Sequence, residues 1–505
     1  MATLKERYGK LEHDRRPYLD RAQACSKLTL PTMYPEDGAN SHTEFRTPYQ
    51  GIGARGVNNL ASKMTMALVP AGSSFFQLGL DDAMYQQLEA AADMDRPEAD
   101  ALLAKIERRA KKHAENVGAR KTAFEIMKHL VVGGNALSLI DSEGRLRMYG
   151  LQKFVVLRDA SGSVRLIIVK ERVAKVTLDE ETLTATGADQ LEDEEVDVFT
   201  GYERTAAGWK LWQEINETMV PGSEGTDPKD TPRFVALRWT APTGEHYGRG
   251  HVEELFGDLK SYEGLSKAIL QATAAAAKVV FGARKGTGTL KRRFAKAEGG
   301  DIVDMDEGDI FAVSLDKYGD FRVALEQAAN LERRLSQSFL LNSSVQRDAE
   351  RVTAEEIRFL AAELEDVLGG VYSVLGTELQ LPWAKRWMRV LTKKNLIPAL
   401  PEGSVDPMVT TGIDALGRNR DLAKLDAVIQ RLSPLGPEIL DTYLDIGGYI
   451  ARVAASAGVE QDGLIRSEEE IEQRRERMSA QQAMQQGAPG VMQELIKQAG
   501  GQQSG

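Results

Sequence analysis

Two long apolar helix faces separated by a charge-segregated insert constrain this chain more than any other feature. Leu255, Leu259, Tyr262, Leu265, Ile269, Thr273, Ala276 and Val280 recur every three or four residues. That spacing predicts one helix from Val252 to Val280, roughly eight turns at 3.6 residues each. A second helix, Leu325 to Leu341, repeats the device with Leu331, Leu335 and Phe339. Phe281 to Phe321, between them, carries glycine-rich turns and short strand-like runs. Two long helices that leave and rejoin a small β-rich tip predict a stalk with a head.

The tip is segregated by charge. Arg284, Lys285, Lys291, Arg292, Arg293 and Lys296 give +6 with no acid among them, and Glu298, Asp301, Asp304, Asp306, Glu307 and Asp309 then give −6 with no base. Such halves either pair internally on a solvated loop or meet an identical neighbour or a differently charged partner.

The rest of the chain predicts an α+β protein, mainly helical. Residues 1 to 30 read as a polar helix, and Gly51 to Leu68 as a small-residue helix suited to close packing. Glu98 to Leu139 is helical in pattern, ending in the apolar run around Gly133 and Gly134. Residues 146 to 240 turn β-rich, with strands expected at Lys153–Leu157, Val164–Val169 and Val196–Tyr202. Within them, Asp179 to Asp197 holds nine acidic residues and no basic one, the pattern of a solvated loop. A polar turn, Asn342 to Arg351, leads to a helix opened by the capping pair Thr353 and Glu356. Gly369 and Gly370 sit in the middle of that helix and predict a kink; Pro382 is expected to end it. Two further helices, about 419 to 432 and 437 to 456, and a capping pair at Ser467 and Glu470 predict a helical carboxy-terminal region. The Gln- and Gly-rich end is expected to be disordered.

Composition excludes several classes. The chain has 505 residues and a net charge of −11, which repels nucleic acid in bulk. Its single cysteine, Cys25, can form neither an internal disulfide nor a zinc site. The charged amino terminus lacks a signal-peptide core, and no run reaches the ~18 apolar residues of a membrane span. There is no phosphate-binding G-x-x-x-x-G-K-[ST] loop and no G-x-S-x-G elbow. The six histidines are scattered; His246 and His251, the nearest pair, read as turn or surface residues. No catalytic group, cofactor or metal site is expected.

Several long stretches carry a resemblance. Thr47 to Lys63, His246 to Glu254, Leu341 to Arg347, Glu350 to Arg358, Glu363 to Ser373 and Glu378 to Pro382 closely resemble the head-to-tail connector, or portal, proteins of podovirus-type short-tailed phages. The likeness runs in order from about residue 5 to about 480 and is thinnest at 178–197 and in the Gln-rich tail.

The resemblance implies a ring of about twelve subunits, each with a wing, a two-helix stem, a clip and a helical crown. It divides the chain into wing (1–251), first stem helix (252–280), clip (281–321), second stem helix (322–341), tunnel loop (342–352), long kinked wing helix (353–381, bent at Gly369 and Gly370), crown (382–480) and tail (481–505). It implies that Arg347, Arg351, Gln346 and Asn342 face DNA in the channel. Arg347 and Arg351 instead pair within the subunit if Asp348, Glu350 or Glu355 reaches them. Arg284, Lys285, Lys291, Arg292, Arg293, Lys296, Asp301, Asp304 and Asp306 of the clip would touch a neighbouring subunit or the tail adaptor. Partners implied are double-stranded DNA, the major capsid protein, scaffolding protein, internal core proteins, a terminase that holds the ATPase, and the adaptor, with no membrane. The place implied is the portal vertex of the virion, reached by assembly in the host cytoplasm. The other readings are a structural head or tail protein without a channel, and a DNA-processing enzyme such as a terminase subunit. Net acidity suits a channel: twelve copies at −11 carry −132, a wall that lets a polyanion slide.

Overall fold

The computed structural model describes residues 2–40, 42–71, 74–79, 86, 96–276, 280–285, 288–298, 301–302, 304–307, 309–313, 318–341, 354–368, 370–397, 408–411, 429–432, 434 and 449–450. The protein is mixed helix and sheet, and the chain divides into two compact units.

The first unit spans 1–77, 109–399 and 409–416. Its amino-terminal helix, Leu4–Lys27, starts at a capping box, with Thr3 accepting from the Glu6 amide and the Glu6 carboxylate accepting from the Thr3 amide. Polar in overall sequence, this helix nevertheless buries Leu4 and Tyr8 with Val155, Leu166, Ile168, Phe199 and Trp212 on one face of a six-stranded antiparallel sheet. That sheet runs Phe154–Arg158, Val164–Ala174, Glu195–Arg204, Trp209–Ile215 and Thr218–Met219 in order, with Gly225–Asp227 also on Trp209–Ile215. All three expected strands exist, and the middle one runs five residues further, to Ala174.

The acidic run 179–197 is more than a loop. Asp179 caps a short helix, Glu180–Thr186, by accepting from the Thr182 amide. Leu178, Leu183 and Ala188 pack on Val196, Val198, Ile215 and Val220, while the carboxylates of residues 192–195 stay exposed. Sequence charge hid those apolar anchors.

The helical pattern expected from Glu98 to Leu139 is three elements: helices Arg96–Asn116 and Ala119–Gly133, then a buried strand, Asn135–Ile140. The strand is buried on both sides, and its Ala136, Leu137, Leu139 and Ile140 continue the apolar run that ends the helix before it. It lies between Phe234–Arg238 and Leu146–Gly150 in a three-stranded antiparallel sheet. On this sheet packs helix Leu381–Lys393. Its Trp383 donates to the Ser138 hydroxyl at 3.0 Å and its Trp387 to the Gly144 carbonyl at 2.9 Å, both side chains fully buried.

The expected stop at Pro382 is therefore overturned. Pro382 follows directly on a π-helical turn, Gly376–Gln380, whose local irregularity accommodates a residue with no N–H, and the chain stays helical from Val371 to Lys393. A crown beginning at 382 does not match this, because Leu381–Lys393 belongs to the core of the first unit. The break lies earlier. Helix Ala354–Leu368 ends, and Gly370 takes φ +91°, a left-handed conformation open to glycine, to start Val371–Leu375. Glu365 bridges the break by accepting from the Ser373 amide (3.0 Å) and hydroxyl (2.7 Å). What sequence suggested as a kink is a stop and a restart at Gly370; Gly369 lies outside the described residues.

The second unit comprises 78–108, 400–408 and 417–505. Its described part is chiefly the helix from Arg96 as far as Arg108, with Leu103, Ala104 and Ile106 buried and Glu107 accepting from the Leu78 amide at 2.6 Å. The expected helices at 419–432 and 437–456, the capping pair Ser467 and Glu470 and the tail 481–505 fall almost wholly outside the described residues.

Candidate functional site

The stalk is two helices, Phe256–Ala276 and Tyr318–Ser338. Both expected boundaries shift. A separate turn, His251–Glu254, precedes the first helix, so the helix is not continuous from Val252, and Val280 already lies in a strand. The second helix begins at Tyr318, inside the range assigned to the tip, and ends at Ser338, three residues short of Leu341. The apolar faces are those the spacing predicted. Leu259, Leu335 and Phe339 are buried, and Leu255, Tyr262, Leu265, Ile269 and Leu331 are half-buried. Two polar contacts pin the pair: Tyr262 donates to Glu332 at 3.3 Å, and Arg334 meets Asp258 at 2.8 Å.

The base of the stalk is anchored on helix Ile52–Leu68. Glu263 accepts the amides of Tyr49 and Gln50, at 3.0 and 3.1 Å, placing a carboxylate at that helix's amino terminus, where the dipole favours it. Phe339 lies directly over Gly56, where any Cβ would come within 2.4 Å of its ring. The last carbonyls of the second stalk helix, orphaned as at any helix end, are taken up in turn. Asn59 donates to the oxygens of Phe339 and Leu340, both at 3.0 Å; Lys63 donates to Leu340 at 2.9 Å; and His251 Nε2 lies 3.0 Å from the Ser338 oxygen. Lys63 is buried, which lowers its pKa, while Glu363 nearby pushes it back up. His251 does stand in a turn, as one of the two expectations had it, but it is buried between Trp239 and Phe339 and not at the surface, and burial lowers its pKa. His246 does sit in a turn, where its Nδ1 accepts from the Arg158 amide at 3.2 Å. Glu263, Asn59 and Lys63 escaped sequence reasoning. Gly56, Asn59 and Lys63, spaced three and four apart, were the one signal of a shared helix face.

The tip is a hairpin, Val280–Ala283 paired antiparallel with Ile310–Val313, with helix Gly288–Lys296 inserted. The Arg284 amide donates to the Asp309 carbonyl at 3.0 Å, closing the hairpin mouth. Lys285, Lys291, Arg292, Arg293 and Lys296 are exposed, as are Glu298, Asp301, Asp304, Asp306 and Glu307. Among the described residues, none of Lys291, Arg292, Arg293 and Lys296 pairs with a carboxylate. Ile302 and Phe311 of the tip are also exposed.

The Asn342, Gln346, Arg347 and Arg351 expected in the channel, and the Thr353 cap, lie outside the described residues. The structure fixes only where that stretch starts, at Leu341, beyond the anchored end of the second stalk helix. Among the described residues no cluster of His, Cys, Asp or Glu could hold a metal ion, and no helix is long and apolar enough to cross a membrane.

This ordered arrangement corresponds to a family model. Residues 1–465 match the bacteriophage head to tail connecting protein. The chain belongs to that family. It is 37% identical to the portal protein of Escherichia phage T7 over 98% of this chain and 94% of the relative. Identity is likewise 37% to the portal protein of Enterobacteria phage T3, over 92% and 88%, and 31% to that of Enterobacteria phage SP6, over 98% of each. The chain is thus a portal-type connector subunit, a component of the virion. A solved chain from the neck of an empty gene transfer agent particle aligns at TM-score 0.35 and 12% identity, over 81% of this chain and 90% of that one. That likeness is too loose to support an argument.

Proposed function

We propose that the protein closes into a ring of about twelve copies at one capsid vertex, through which double-stranded DNA enters during packaging and leaves during ejection. Family membership across most of the chain carries this reading. The anchored two-helix stalk with its charged tip supports it. Helices 256–276 and 318–338 form the stem and 280–313 the clip; the ring meets terminase while filling and the tail adaptor afterwards. It guides DNA, and the ATPase that drives packaging belongs to the terminase.

In this reading Lys291, Arg292, Arg293 and Lys296, which make no ion pair among the described residues, meet the acidic half of a neighbouring clip or an acidic face of the adaptor. Asn342 to Arg351 continues from the second stem helix towards the axis. Arg347 and Arg351, always charged and able to bond phosphate oxygens bidentately, ring an otherwise acidic channel. Twelve 55.5 kDa chains give about 670 kDa, a mass that native mass spectrometry or light scattering reads directly. Arg347→Ala should leave rings intact and lower retention of packaged DNA. Rings that retain DNA as well as the parent's would remove Arg347 from the channel role, and a stable monomer at every concentration would end the ring reading.

A further inference from the structure

Away from the stalk, an open cleft of about 370 Å³ lies where the turn at 159–163 faces strands Phe234–Arg238 and Trp209–Ile215. Arg158, Arg204 and Arg238 line it, with Trp209, Ser163 and a single carboxylate, Glu378. Three guanidiniums against one carboxylate leave an excess of positive charge, and two of the three, Arg158 and Arg238, are each 7% exposed.

The partners of each arginine show where the deficit falls. Arg158 is held by neutral oxygens: its Nε donates to the His246 carbonyl (3.0 Å), and its two terminal nitrogens donate to Gly162 (3.0 Å) and Ala236 (2.8 Å). Burial, with Arg238 close by, pushes its pKa down to about 10. Arg238 has less. Among the described residues its one ion pair is to Glu378 at 3.7 Å, beyond hydrogen-bonding distance, and its buried Nε has no hydrogen-bond partner. One oxygen of Glu378 is likewise buried without a partner. Arg204 makes no ion pair among the described residues; its guanidinium lies 6.0 Å from the Trp209 ring centroid. The other nearby carboxylate, Asp159, is already committed to Arg165 at 3.0 Å and to the amides of Ser161 and Ser163. A buried charge without a hydrogen-bonded counterion is costly, so proteins rarely leave one unless something fills the place. Above Arg238 there is room: a Cβ on Gly162 would lie 3.6 Å from its terminal nitrogen, with nothing nearer.

We propose that this cleft binds a phosphate-type oxyanion, received by the terminal guanidinium nitrogens of Arg238, by Arg204 and by the Ser163 hydroxyl. The guanidinium fork matches a tetrahedral oxyanion bidentately, and the Trp209 edge of the cleft accommodates a group attached to it. The site is independent of the channel reading, since it uses none of the stalk, tip or loop residues. The phosphate is either free or part of a nucleotide.

Isothermal titration of the full-length protein at constant ionic strength tests this, with sodium phosphate, a 5′-mononucleotide and sodium acetate as probes. Saturable binding of phosphate is expected. Arg238→Met should weaken it about tenfold or more, as loss of a charged hydrogen bond does. Should that variant unfold, Arg204→Gln on the half-exposed rim is expected to weaken binding several-fold. Glu378→Gln should tighten it, because a competing negative charge is removed. Equal affinity for phosphate and mononucleotide identifies the free ion; markedly tighter binding of the mononucleotide identifies the nucleotide; both support the site. The proposal is overturned by the absence of saturable phosphate or nucleotide binding, by affinity indifferent to Arg204→Gln and Arg238→Met, or by acetate displacing phosphate at equal concentration. It also fails if Glu378→Gln lowers stability without raising anion affinity, since Glu378 would then itself be the counterion.

Discussion

Lys63, buried on helix Ile52–Leu68, donates from Nζ to the main-chain oxygen of Leu340 at 2.9 Å, and so ties the end of the second stalk helix to a helix 277 residues earlier in the chain. Asn59, one turn before it, takes the Phe339 and Leu340 oxygens. Asn59→Ala leaves carbonyls without that donor and should lower unfolding free energy by about 1–3 kcal/mol in urea titration. Gly56→Val, which drives a side chain into the Phe339 ring, should cost roughly 1–3 kcal/mol or more and loosen the stalk base. Unchanged midpoints for both variants would show that the stalk is held elsewhere.

Asp227 is the hub of a buried network. It accepts from Arg233 through both oxygens, from Arg386 at 2.7 Å and from the Tyr202 hydroxyl at 3.1 Å. Burial pushes its carboxyl pKa up, but Arg233 and Arg386 outweigh that and hold it below the ordinary value. A depressed carboxylate contributes stability that is present above its unfolded pKa, about 3.9, and is lost as pH falls through the folded one. Asp227→Asn strands two arginine charges and should cost about 3–5 kcal/mol at neutral pH. The wild type should outlast the variant by less as pH drops below about 4, which acid titration followed by circular dichroism reads.

His129 titrates in a different window. Burial, with Lys128 adding to it, pushes its pKa down to about 4, and its Nδ1 lies 2.9 Å from the Tyr34 hydroxyl. The unfolded chain takes up the proton near pH 6.5 and the folded one only near 4, so this histidine's effect on stability is nil above 6.5 and grows destabilising as pH falls towards 4. His129→Gln should flatten that stretch of the stability–pH curve. A slope between pH 6.5 and 4 equal to the parent's would contradict the assignment.

Reversing Arg292 and Arg293 to Glu alters exposed side chains that make no ion pair among the described residues. Thermal melting should stay within about 0.5 kcal/mol of the parent in stability terms. Ring closure or tail attachment should weaken, seen as a loss of rings in negative-stain images or of tailed particles in complementation. Normal rings on normally tailed particles would return this patch to a merely solvated surface.

The sequence by itself determined the periodic elements and the charge blocks. The stalk faces at Leu259, Leu335 and Phe339, the strands near 154, 164 and 196 and the small-residue helix at 52–68 follow from spacing, because a face that must be buried repeats at the period of its backbone. The segregated tip charges were likewise in plain view. Only tertiary structure decided where elements end. Asn135–Ile140 is a strand because it is enclosed between two others, although its hydropathy continues that of the helix before it. Pro382 does not terminate its helix because it follows a π-helical turn, and the tryptophans of Leu381–Lys393 are held by Ser138 and Gly144 over 240 residues away. Gly370 stops a helix because the fold requires a left-handed residue there, which a glycine pair permits but does not dictate. Lys63, Asn59, Glu263 and the arginine cleft were hidden for the same reason. A polar side chain's role depends on which distant backbone or charge the fold brings to it, and no local spacing records that partner.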